Sequence, residues 1–102
     1  MFEVIVSLLA RQDINNIYDY IEYDLAAPVA ADRFEDNIIK CLGNLEDNPM
    51  MYEMIRDEQL AESGFRRAVV QNYVLVYKAD EERKIVRVYR VFHGSQDYEK
   101  LL

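Results

Sequence analysis

The sequence predicts an α+β fold: two N-terminal helices packed on one face of a small antiparallel sheet, in the order β-α-α-β-β-β. Three observations predict it. Two stretches in the first half repeat their apolar residues at helical spacing, and a short apolar run precedes the first of them. The last third is rich in β-branched and aromatic residues and is broken by two clusters of turn-forming residues.

Phe2-Glu-Val-Ile-Val-Ser7 reads as the first strand, with Ser7 placed to cap a helix starting at Leu8. From Leu8 to Leu25, the apolar positions Ile14, Ile17, Tyr18, Ile21 and Leu25 share one helix face, while Asp13, Asn16, Asp19 and Glu22 line the other. Pro28 suits the first turn of a second helix, where its missing N–H would be unpaired anyway. That helix runs to Glu46 with Ala30, Phe34, Ile38, Cys41, Leu42 and Leu45 inward, and Asn48-Pro49 ends it. Residues 49 to 63 form a loop with room for a helical turn. Gly64 then opens the sheet block, which turns at Gln71-Asn72 and at Asp80-Glu81-Glu82-Arg83. The tail from Gln96 to Leu102 is a short terminal segment, and the sheet face away from the helices is expected to stay open.

A chain of 102 residues fits one domain, 1 to 102, with a core that needs no staple. Its one cysteine, Cys41, lies among apolar helix positions and reads as a small buried hydrophobe. A single Cys excludes an intrachain disulfide and a Cys-based metal site, which fits a reducing compartment. No apolar run approaches the roughly 18 residues of a membrane span, and the N-terminus lacks a signal-peptide layout. The expectation is a soluble, cytoplasmic protein with no membrane partner, no metal and no cofactor.

The formal net charge is −7. Such a balance is a handicap for a general nucleic-acid binder, which gains affinity by neutralising phosphates. The charge is unevenly spread, however. Residues 65 to 102 hold eight Lys/Arg against five Asp/Glu, whereas residues 1 to 64 hold four against fourteen. Cations gathered on one sheet suit an anionic partner, because local sign outranks net sign beyond a Debye length of about 8 Å.

Strand alternation puts Arg87, Tyr89 and His93 on one face and Val86, Val88, Arg90 and Phe92 on the other. Arg90 then shares no site with His93 unless a bulge intervenes, and its head is expected at a rim, on water or a carboxylate. Arg66 and Arg67, adjacent on a strand, face opposite ways. Lys78, Arg83 and Lys84 read as solvated edge charges. Cleavage of RNA by its 2′-hydroxyl needs a base, an acid and cations for the charge on phosphorus. His93, Tyr98, Arg66, Arg67, Lys78, Arg87 and Arg90 could supply them.

Across nearly the whole chain the residues resemble the RelE/ParE superfamily of bacterial toxins, the toxic halves of type II toxin–antitoxin pairs. The resemblance lies in Ser7-Leu-Leu-Ala10, Ile14-Asn-Asn-Ile-Tyr-Asp-Tyr-Ile21 and Ala30-Ala-Asp-Arg-Phe34 of the helices. In the sheet it lies in Gly64-Phe-Arg66, Asn72-Tyr-Val-Leu-Val-Tyr77 and Arg90-Val-Phe-His-Gly-Ser-Gln-Asp97. It implies a RelE/ParE toxin-like fold, a cognate antitoxin as partner, and a toxin–antitoxin hetero-oligomer. Two activities are open: a ParE-like toxin that binds and inhibits DNA gyrase, or a RelE-like ribosome-dependent endoribonuclease that cuts mRNA. Val74 stands where the nuclease branch has a phosphate-holding Arg, and Gly94 where it commonly has another, so the ParE-like branch is favoured. Against that, His93 and Tyr98 keep the nuclease spacing, and Gln96 replaces an Arg usual in the ParE ending. The resemblance makes His93, Tyr98, Arg66 and Arg67 the catalytic candidates if the chain is a nuclease. Arg66, Arg67, Arg87, Tyr89, Arg90 and His93 are the candidates for antitoxin or target binding. A degenerate member that keeps only antitoxin or oligomer contacts is a third reading.

Overall fold

The computed structural model describes residues 1 to 102. Strand β1 (Glu3–Val6) leads into helix α1 (Leu8–Asp19), a π-helical turn (Tyr20–Asp24) and helix α2 (Pro28–Asp47). A 3-10 turn (Pro49–Met51) and a five-residue helix α3 (Glu58–Glu62) come next. The chain then forms β2 (Phe65–Val70), β3 (Tyr73–Asp80), β4 (Ile85–His93) and a terminal 3-10 turn (Tyr98–Leu101). The strands make one sheet in the order β1-β4-β3-β2. β2, β3 and β4 are antiparallel as expected. β1 instead runs parallel to β4, from Glu3 opposite Ile85 to Val6 opposite Val88, so the sheet is mixed. A parallel neighbour needs a long connection, and both helices with the β2-β3 hairpin supply it. No helix is long and apolar enough to cross a membrane.

The α-hairpin covers one sheet face. Ser7 caps α1 as expected, its Oγ accepting from the Ala10 N–H at 3.0 Å. Phe34 and Leu45 of α2 are wholly buried against Leu75, Tyr77, Val86 and Val88 of the sheet. Each such side chain contributes roughly 1.5–3 kcal/mol through its removal from water. Phe34 also meets the Tyr73 ring edge-on at 4.9 Å. Cys41 is buried, and desolvation raises its thiol pKa. Burial likewise raises Tyr52 and Tyr77, whose rings pack edge-to-face. The Tyr77 hydroxyl donates to the Pro49 carbonyl and so ties the segment after α2 to the sheet.

The first helix does not run regularly to Leu25. At Tyr20 it opens into the π turn, with the Leu25 N–H reaching back five residues to the Tyr20 carbonyl. A wider turn shifts the helical phase. Ile21 stays inside, but Leu25, expected in the core, is 55% exposed.

The face expected to be open is half covered. Ile55, Val74, Val76, Phe92 and Tyr98 form a second small core, with Leu60, Phe65 and Leu102 packed on it. The segment before α3 runs along the free edge of β2, where the Arg67 N–H donates to the Glu53 carbonyl and the Ile55 N–H to the Phe65 carbonyl. The tail docks there too, and Glu99 accepts from the Asp57 N–H at 2.7 Å.

The alternation along β4 also breaks. Tyr77 faces Val88, yet Val76 faces Arg90, so Tyr89 is the extra residue of a bulge. Val86 and Val88 point at the helices, and so does Val91 beyond the bulge. His93, an even step from Val91, therefore lies on the helix side, apart from Arg87 and Tyr89 on the opposite face. The grouping of Arg87, Tyr89 and His93 on one face is overturned. The physical reason is burial: without the extra residue, Arg90 would enter the core where Val91 now packs.

Two measurements check this fold. In urea melts Ile21→Ala should cost about 2–4 kcal/mol, and Leu25→Ala under about 0.5 kcal/mol; equal losses would restore a regular helix. The raised pKa values of Cys41, Tyr52 and Tyr77 mean that the unfolded chain releases these protons first. Their contribution is intact below the unfolded values, about 8.5 for the thiol and about 10 for the phenols, and is lost as pH climbs above each of these toward the raised folded values. Stability should fall across that window, and less steeply in Tyr77→Phe; a flat profile would refute the assignment.

Candidate functional site

The candidate residues gather where β4 outruns β1. β1 stops pairing at Val88, and beyond that point the edge of β4 is finished by side chains of the α1 region. The Ser7 N–H donates to the Val88 carbonyl, and the Ser7 hydroxyl donates to the carbonyl of the bulge residue Tyr89 at 2.9 Å. Further along α1, Asp13 accepts from the Val91 N–H at 2.9 Å. The same carboxylate takes Arg90 in a fork, Nε at 2.8 Å and Nη2 at 3.1 Å. Asp13, expected on the solvent side of α1, has a side chain only 15% exposed. The bond to Asp13 raises the Arg90 pKa, and the guanidinium lies 4.7 Å from the centre of the Phe92 ring. Arg90 thus reaches round the sheet edge to a carboxylate.

That reach brings Arg90 and His93 to one cleft of about 590 Å³ between α1 and the end of β4, which Asn16, Tyr20, Tyr73 and Gln96 also line. The two residues share it although alternation puts their Cβ atoms on opposite faces. His93 is held in a tight turn. Its ring Nδ1 accepts from the Ser95 N–H at 3.1 Å and lies 2.6 Å from the Ser95 hydroxyl. A backbone amide can only donate, so in this contact Nδ1 accepts and the ring proton sits on Nε2. His93 therefore presents a donor outward. Gly94 is fixed by close approach, because a Cβ there would sit 3.1 Å from the Asn72 carbonyl oxygen.

A second cleft, of about 400 Å³, brings together Arg67, His93 and Tyr98. Arg67 is already committed: Nη1 donates to the Tyr98 hydroxyl at 3.1 Å, and Nη2 pairs with Glu53 at 3.0 Å. These two bonds, Tyr98 first, raise its pKa. Tyr98 is buried and stacked on Phe92 at 6.0 Å. Val74, in the position of the nuclease-branch Arg, is 4% exposed beneath this second core. Arg66 does face away from Arg67, but its Nη1 donates to the Tyr52 carbonyl at 2.7 Å. Neither arginine is a free surface cation.

Arg87 and Tyr89 lie elsewhere. Ile5, Arg87, Lys78 and Phe65 form one row across all four strands on the uncovered half of the second face, with Tyr89 alongside. Lys78 is not an edge charge: it sits on the inner strand β3 with its ammonium 4.3 Å from the Phe65 ring centre and 5.8 Å from that of Tyr89. Arg87 is exposed and makes no ion pair. No three His, Cys, Asp or Glu side chains are grouped to hold a metal ion. Sequence reasoning missed Asp13 and Ser95. The first carried no signal beyond a polar helix position, whereas the second stands two residues from His93, where a short side chain folds back readily.

Comparison with known proteins places this geometry. Residues 4–98 match the family described as ParE toxin of type II toxin-antitoxin system, parDE. Among solved structures, the chain is similar to one in the toxin–antitoxin complex RelBE2 from Mycobacterium tuberculosis. There the TM-score is 0.64 at 25% identity, covering 90% of this chain and 96% of that one. It is also similar to a chain in the chromosomal ParDE system from P. aeruginosa, with a TM-score of 0.72 at 17% identity, covering 91% and 96%. A search of curated proteins finds no match.

The Asp13–Arg90 fork is open to a double-mutant cycle. Asp13→Ala should cost about 2–4 kcal/mol, because it orphans both the guanidinium and the Val91 N–H. The coupling to Arg90→Met should exceed about 1 kcal/mol. Coupling near zero in chemical denaturation would mean that the pair does not hold α1 to β4.

Proposed function

Since the chain belongs to the ParE family of type II toxin–antitoxin toxins, we propose that it is a binding-type toxin, one domain over residues 1 to 102. In this reading it acts in the cytoplasm, inhibits DNA gyrase by occupying it, and is neutralised by a cognate antitoxin. One observation carries the choice against RNA cleavage: the side chains that chemistry requires are spent on packing. Tyr98 is buried and bound to Arg67, Arg67 is paired with Glu53, and Val74 fills the second core. His93 is the exception, exposed at the end of β4 with its Nδ1 held by Ser95. A toxin that works by contact needs none of these groups free.

The antitoxin is proposed to lay an acidic segment across the row Ile5, Arg87, Lys78 and Phe65, with Tyr89 as a further contact. That half of the sheet face carries unpaired cations beside apolar and aromatic side chains, which suits an ordering peptide with acidic and apolar residues. Both similar solved structures are toxin–antitoxin complexes, which supports an antitoxin as partner.

The endoribonuclease remains as a second reading on one observation, that Arg67, His93 and Tyr98 line a common cleft. A single expression experiment separates the two. Produced alone in bacteria, the chain should cause filamentation and DNA damage without early mRNA cleavage, and His93→Ala and Tyr98→Phe should stay toxic. Prompt mRNA cleavage abolished by those substitutions would make the nuclease reading correct. Co-expression of a cognate antitoxin should rescue growth. Rescue should fail for Arg87→Glu with Lys78→Glu while toxicity persists; undiminished rescue would move the antitoxin off this row.

A further inference from the structure

We propose that the cleft between α1 and the end of β4 binds a nucleoside phosphate, independently of what occupies the sheet row. Its volume, about 590 Å³, falls in the usual range for small-ligand sites of roughly 300–1,000 Å³. Its polar lining carries several free donors. Arg90 turns Nε and Nη2 to Asp13, which leaves Nη1 unengaged. His93 presents Nε2–H because Nδ1 is occupied by Ser95. Gln96 uses its carbonyl on the His93 N–H at 2.9 Å, so its amide NH₂ is left to donate. The one carboxylate present, Asp13, already accepts three hydrogen bonds. A surplus of donors around a neutralised acid fits an oxyanion.

The aromatic part of the ligand rests on a separate observation. The π turn begins at Tyr20, on the cleft. Such turns are frequent at functional sites. Tyr20 itself is 51% exposed beside this cluster of donors. Tyr73, also on the cleft, is fixed between Phe34 and His93, with ring centres 4.9 and 5.5 Å away. A flat ring that stacks on Tyr20 while its phosphate meets Arg90, His93 and Gln96 uses both halves of the site, and Asn16 is placed to read the base edge.

The test is an amide-shift titration of the isotope-labelled full chain with the four common nucleoside monophosphates, with adenosine and inorganic phosphate as part-ligands. At least one mononucleotide should saturate, with shifts confined to α1 near Asn16 and Tyr20, to Tyr73 and to residues 90 to 96. It should bind about tenfold tighter than inorganic phosphate, the margin expected from one stacked base, and also more tightly than adenosine, which lacks the phosphate that Arg90 and His93 would hold. Tyr20→Ala, a surface change that leaves the fold intact, should weaken it by about the same factor, and Tyr20→Phe should restore it. Absence of saturation with every nucleotide, shifts centred elsewhere, or affinity equal to that of inorganic phosphate and indifferent to Tyr20→Ala would each overturn the proposal.

Discussion

The structure depends on how the outer edge of β4 is satisfied once β1 has left it. β1 turns into a helix after Val6, and the strand beside it continues for five more residues with backbone groups that would otherwise face nothing. Ser7 and Asp13 replace the missing strand. They take the Val88 and Tyr89 carbonyls and the Val91 N–H, and they belong to the same helical start, so α1 cannot rotate without unpairing β4. Unsatisfied buried backbone groups cost about 1–3 kcal/mol each, which makes this edge a strong determinant of the helix orientation. The bulge at Tyr89 and the outward course of Arg90 are set at the same place.

The same economy governs the charges. Of the cations in the last third, Arg90 neutralises Asp13, Arg67 holds Glu53 and Tyr98, Lys100 pairs with Asp97, and Arg66 donates to a carbonyl. A uniform cationic sheet therefore does not exist. What remains is a narrower row through Arg87 and Lys78, on the half of the face that α3 and the tail leave uncovered. Exposed ion pairs contribute little to stability. The Arg90 pair differs because both of its side chains are largely shielded and it joins segments 77 residues apart.

Much of the architecture was legible in the sequence because periodicity reports burial directly. Phe34, Ile38, Cys41 and Leu45 stand at helical spacing and are buried, and the two hairpin turns fall at residues suited to them. The failures have a common origin. Leu25 was displaced by one wide turn, and His93 changed faces because of one extra strand residue. A period-based reading carries a phase, and a single inserted residue shifts every position after it. The second core was hidden for another reason: its apolar residues, Ile55, Leu60 and Leu102, are scattered through segments with no period of their own. Asp13 was unreadable because its partners lie 77 and 78 positions away.

The bulge also leaves a trace in the sequence once its cause is known. Val86, Val88 and Val91 are separated by two and then three residues, and the interval holds Tyr89 and Arg90 together. No regular strand buries all three valines on one face while keeping an arginine out of the core, so the spacing by itself requires an extra residue between Val88 and Val91. Placing that residue beyond the end of β1 limits the disruption to a stretch of β4 whose outer edge no longer carries a strand. A bulge opposite β1 would break the parallel ladder at its centre. Helix start, bulge and arginine fork are thus one solution to a single packing problem, and the cleft shared by Arg90 and His93 is its geometric consequence.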